Sequence, residues 1–177
     1  MNLANLVFGF CIVCTTNGMQ DQPKAEVEHL APLARFIGEW ETHGKWAQGG
    51  ELHARGIYTW GLNRKLMHSK TFVKDDKMGE YQRYEGVFYY KPQYKRVQML
   101  EVAFNGALSE SVLEVPDSNT LKFGYTDVSA DKPSKVRQLI TFTDNDTFVW
   151  KVELQSKEGW QQIIEATWRR KKAATAK

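Results

Sequence analysis

From Gly38 to Arg170 the chain alternates apolar and polar residues in short runs, and almost every run ends in a turn signal. Alternation at period two puts successive side chains on opposite faces, so each run is expected to be a half-buried strand. Strands are predicted at Gly38–Ala47, Glu51–Trp60, Lys65–Lys74, Glu80–Tyr90, Arg96–Phe104, Ala107–Val115, Thr120–Asp127, Lys135–Thr143, Thr147–Gln155 and Trp160–Arg170. Between them lie Gln48-Gly49-Gly50, Asp75–Gly79, Pro92, Pro116–Asn119 and Asp144–Asp146, with Asn105-Gly106 as the sharpest hairpin dipeptide. No connection has room for a crossover helix. Consecutive strands must therefore pair antiparallel, and closing the meander removes the edges it would otherwise expose. The fold class expected is all-β, a closed antiparallel meander barrel of about ten strands.

A short helix is predicted ahead of the first strand, at His29–Ile37, with Pro32 in its first turn. It would plug one end, with Trp40 filling the floor. Trp46, Tyr58, Trp60, Tyr84, Phe88, Tyr90, Phe104 and Phe123 fall at inward positions on successive strands. They are the candidate ligand-binding residues, since pockets combine aromatic walls with a few polar groups, which the tyrosines would supply. The same rings would also fill a solid core. Gly44, Gly56 and Gly86 share the inward position and favour a cavity by vacating volume. The third strand carries polar residues on both faces and does not declare its inner one.

The chain has 177 residues, enough for one domain with its own core. Its 24 basic and 21 acidic residues leave a net charge of +3, too mild for a nucleic-acid partner. Met1–Gln20 holds no charged side chain, and Leu3–Val13 has the length of a signal-peptide core, too short for an integral membrane span. Residues 1–20 are thus expected to be an export signal, 21–28 a linker, 29–171 the barrel and 172–177 a tail. Export would be to the periplasm or the extracellular space. Cys11 and Cys14 both lie in the leader, so the mature fold would rest on burial alone.

Catalytic and metal signals are sparse. His29, His43, His53 and His68 do not converge, and no metal site or cofactor is expected. Ser69, Ser109 and Ser111 lack a fitting base; Glu101, Glu110 and Glu114 lie on adjacent strands and could serve acid–base work, though Glu110 and Glu114 also suit a solvated face. Asp144–Asp146 reads as a hairpin turn.

Gly38-Glu39-Trp40 after a Leu-rich turn, together with Arg169 and Arg170 on the last strand, resembles the calycin superfamily. That superfamily includes lipocalins, fatty-acid-binding proteins and nitrobindin-like barrels. The start LAPLARFIGEWETHG is most similar to a lipocalin-like bacterial domain of unknown function. The resemblance implies structural roles for Gly38, Trp40 and Arg169, with the arginine packed over Trp40. It also implies a barrel that holds a small hydrophobic or amphipathic ligand without transforming it. Arg170 or Lys70, if inward, would then meet an anionic head group. Other functions remain: a haem-binding nitrobindin-like barrel with His68 as ligand, a protein-interaction module, or an enzyme acting on a bound hydrophobic molecule.

Overall fold

The computed structural model describes residues 29–46, 49–127 and 134–172. The expected leader, the linker, both cysteines and the tail from residue 173 lie outside the described residues. Ten strands follow one another: β1 (Gly38–Trp46), β2 (Glu51–Gly61), β3 (Leu66–Asp75), β4 (Gly79–Lys91), β5 (Arg96–Ala103), β6 (Leu108–Glu114), β7 (Thr120–Asp127), β8 (Ser134–Phe142), β9 (Thr147–Ser156) and β10 (Gly159–Arg170). Each pairs antiparallel with its sequence neighbours, and β1 pairs with β10 to close the barrel.

The expected helix is a six-residue 3-10 turn, Ala31–Phe36, with Pro32 in its first turn. The spacing of its apolar residues accounts for the type. Leu30, Leu33 and Phe36 recur every third residue, and at three residues per turn they fall on one line. All three are buried. The turn closes one end of the barrel. Phe36 sits 5.1 Å from the rings of Tyr58 and Phe142 and 5.5 Å from Phe148. Trp40 is fully buried beside them, its ring 4.8 Å from Phe148, and its Nε1–H donates to the Phe36 carbonyl at 2.7 Å.

Arg170 fastens this plug from outside. Its guanidinium lies 4.2 Å from the centre of the Trp40 ring. It donates to the carbonyls of Ile37, Arg35 (2.8 Å) and Asn145 (2.9 Å), and to Asp146 Oδ1 (2.8 Å). Gly38, at φ +124°, leaves the space that the guanidinium needs: a Cβ there would stand 2.9 Å from its Nη1. The arginine over Trp40 is therefore Arg170 and not Arg169. Register explains the exchange, since Trp40 pairs with Arg170 while Arg169 pairs with Glu41 on the outer face and is exposed.

Candidate ligand-binding lumen

Inward positions follow from the register. On β2 to β6, Tyr58, Ser69, Gly86, Glu101 and Ser109 form one cross-strand row. One row nearer the plugged end are Trp60, Met67, Phe88, Met99 and Ser111. One row nearer the open end, Gly56, Thr71, Tyr84 and Ala103 align. The other half of the wall contributes Phe123, Gln138 and Val152, then Ile140, Trp150 and Ala166. Aromatic and aliphatic groups thus gather near the plug, and oxygen-bearing side chains ring the middle.

Several expected positions hold. Phe88 and Phe123 are buried with their rings 5.6 Å apart. Tyr58, Trp60, Tyr84 and Tyr90 face inward and are half-buried. Tyr90 lies at the plugged end, stacked on His29 at 3.7 Å. Trp46 has inward parity but sits at the open rim, 39% exposed.

Phe104 does not join them. On β5 the inward set is Val97, Met99, Glu101 and Ala103, opposite Tyr90, Phe88, Gly86 and Tyr84. Phe104 has the other parity, is 61% exposed, and packs its ring against Tyr81 at the open end. Arg170 is likewise outside the lumen, held in the plug. Lys70 faces out toward Glu85 at 3.7 Å. The expected cation for an anionic head group is thus missing from both proposed positions.

The inward glycines also behave differently from expectation. The space over each is taken by a neighbour: Ala166 Cβ at Gly44, the Tyr58 ring at Gly56, and Ser69 Oγ at Gly86. Their role is close packing. A Cβ at Gly86 would stand 2.7 Å from Ser69 Oγ and 3.3 Å from the Leu100 carbonyl. Gly86→Ala is therefore expected to cost about 1–3 kcal/mol, as overpacked cores do. Adding Ser69→Ala should recover much of that loss, because the nearer clash disappears. A urea-unfolding double-mutant cycle reads the coupling; additive losses would show that Ser69 is not the obstacle.

Part of the lumen wall is accessible to solvent. Tyr58, Thr71, Tyr84, Glu101, Gln138 and Trp150 all point inward, yet each keeps part of its surface accessible. A core packed to crystal-like density would cover them. Glu101 stands out among them. Burial pushes its carboxyl up to about 7, and burial is the sole cause of the shift. Among the described residues the structure gives it no hydrogen bond and no ion pair. Across the lumen, burial raises the Tyr58 phenol, and the Glu101 charge adds to the rise. Among the described residues three polar side-chain atoms are buried without a partner: Gln98 Oε1, Ser111 Oγ and Trp168 Nε1. Reading Phe104 as inward puts Glu101 on the outer face; only the β4–β5 register, with Glu101 opposite Gly86, places it inside.

The histidines leave haem without a ligand here. His43 and His53 face each other on the outer wall, Nδ1 to Nδ1 at 2.6 Å, with His53 Nε2 2.8 Å from Glu51. His68 is exposed on the outer face of β3, and His29 is stacked on Tyr90. None of these reaches into the lumen as an axial ligand would have to. Among the described residues no histidine is placed to ligate haem in the lumen. Among the described residues no helix is long and apolar enough to cross a membrane. A shallow outer depression of about 390 Å³ beside Trp160 is lined by Lys122, paired with Glu114 at 2.8 Å, by Arg137, paired with Glu153, and by Lys135.

No family model and no curated protein matches the chain. Solved structures do. The S-type phycobiliprotein lyase CPES from Guillardia theta is similar with a TM-score of 0.52 at 14% identity, over 85% of this chain and 97% of that one. A redesigned β-barrel gives 0.43 at 12% identity, over 78% and 94%. The barrel EF1p2_mFAP2b bound to DFHBI gives 0.42 at 12%, over 81% and 99%. At these identities the likeness is one of fold.

Proposed function

We propose that the barrel binds one small amphipathic molecule in its lumen without transforming it. The observation that carries this reading is the partly open ring of inward side chains around the half-buried Glu101 carboxyl, which has no hydrogen bond or ion pair among the described residues. An apolar body would lie toward Phe88, Phe123 and Trp168, and the polar end would meet the middle row at Tyr58, Ser69 and Glu101. This is the usual make-up of a ligand site, a mostly apolar cavity with a few orienting polar groups. Membership of the calycin superfamily is part of the proposal. The barrel shared with the phycobiliprotein lyase supports it at the level of fold, as does the plug-and-arginine closure over Trp40.

Native mass spectrometry of the purified protein with the neutral dye Nile red tests the reading. The expected outcome is one dye per chain, quenching of tryptophan emission, and displacement by octanol, with a dissociation constant on the order of 1 μM. A chain that neither binds dye nor carries a mass excess lost on denaturation would return the barrel to a solid core.

A further inference from the structure

We propose, building on the lumen reading, that the polar group of the ligand is a protonated nitrogen, an amine or amidine, received by the Glu101 carboxylate. The middle row offers oxygen only. Tyr58, Ser69, Glu101 and Ser109 align on adjacent strands, and Gly86 stands between Ser69 and Glu101.

Lys70, Arg170 and Lys91 are engaged elsewhere. Lys70 faces out to Glu85, and Arg170 is held in the plug over Trp40. Lys91 pairs outside with Glu110 at 3.6 Å. Arg83 sits where β3 and β4 slip register, nearer the open end, its guanidinium 5.6 Å from the centre of the Tyr84 ring. The titratable group facing Glu101 across the lumen is the Tyr58 phenol, which is neutral near pH 7.

An acid entering this site would set one carboxylate against another in a poorly solvated space, which is unfavourable. A neutral alcohol would supply one hydrogen bond. A protonated amine would supply both the charge and the donors that the half-buried carboxylate lacks, which is what a poorly solvated charge requires. The head group favoured is therefore opposite in sign to the one expected when Arg170 or Lys70 was taken as its partner.

Octylamine, octanol and octanoate share one chain and differ in the end group. Calorimetric titration of each at pH 8, where Glu101 is largely ionised, separates the possibilities. Octylamine should bind at least tenfold more tightly than octanoate. Glu101→Gln should weaken octylamine at least tenfold and leave octanol within about twofold, with an unchanged near-ultraviolet dichroism spectrum showing an intact fold. Octanoate binding as tightly as octylamine overturns the proposal, as does octylamine binding that ignores Glu101→Gln. Octanol binding without an octylamine advantage defeats this inference alone. Failure of all three to bind defeats the lumen reading, and this inference with it.

Discussion

Replacing Trp40 by alanine should cost about 3–5 kcal/mol of folding stability, the range of large aromatic deletions from a core. Three losses combine. The ring is fully buried and touches Phe142 and Phe148. Its Nε1–H is the donor that ties β1 to the end of the 3-10 turn at Phe36. Its outer face also carries the Arg170 guanidinium. A Trp40→Phe variant keeps the hydrophobic body but drops the hydrogen bond and should lose markedly less. Urea unfolding followed by circular dichroism measures both. A Trp40→Ala midpoint within about 1 kcal/mol of wild type would mean that the plug adds little to the barrel.

The second large effect is one of pH. The ordinary carboxyl value is 4.5 and the folded value for Glu101 is about 7. Below about pH 4.5 the group is protonated in both states and costs nothing. Between 4.5 and 7 the folded protein keeps the proton that the unfolded chain has released, so stability falls as pH rises. Above 7 both states are ionised and the penalty is complete. The gap corresponds to about 3 kcal/mol at 1.36 kcal/mol per pH unit. Glu101→Gln removes the titration, so it should exceed wild type in stability by roughly that amount at pH 8 and match it near pH 4. The quantity to measure is the difference between the two unfolding free energies from pH 4 to 8. A flat difference would mean that the Glu101 carboxyl reaches water in the folded state.

The strands were easy to read and the lumen was not, for reasons visible in single residues. On β2, Leu52, Ala54, Gly56, Tyr58 and Trp60 alternate against Glu51, His53, Arg55 and Thr59, so one face declares itself. On β5 both faces carry apolar residues, Val97 and Met99 against Leu100, Val102 and Phe104, and the inward set includes a glutamate. Hydrophobicity therefore chose the wrong face and placed Phe104 inside. On β3 the lumen takes Ser69 and Thr71, while Phe72 faces out beneath the Arg55 guanidinium at 4.2 Å. Polar inside and aromatic outside inverts the usual rule, which is why that strand looked ambiguous. A barrel that keeps polar groups in its interior erases the alternation that reveals a solid one. The exchange of Arg169 for Arg170 has another cause. Both are charged, and only the register with β1, a pairing between distant parts of the chain, decides which one meets Trp40.

That pairing gives the barrel an uneven kinetics of assembly. Every other strand pairing joins neighbours in sequence, and hairpins of that kind form in about microseconds. The β1–β10 seam instead joins residues such as Thr42 and Thr167, 125 positions apart. Closing a loop of that size carries the largest entropic cost in the fold and falls to one event. The stacking of Arg170 on Trp40 spans the same two strands, so that part of the clasp cannot help until the circle has nearly closed. It then acts mainly on the reverse rate, slowing the first opening of the ring.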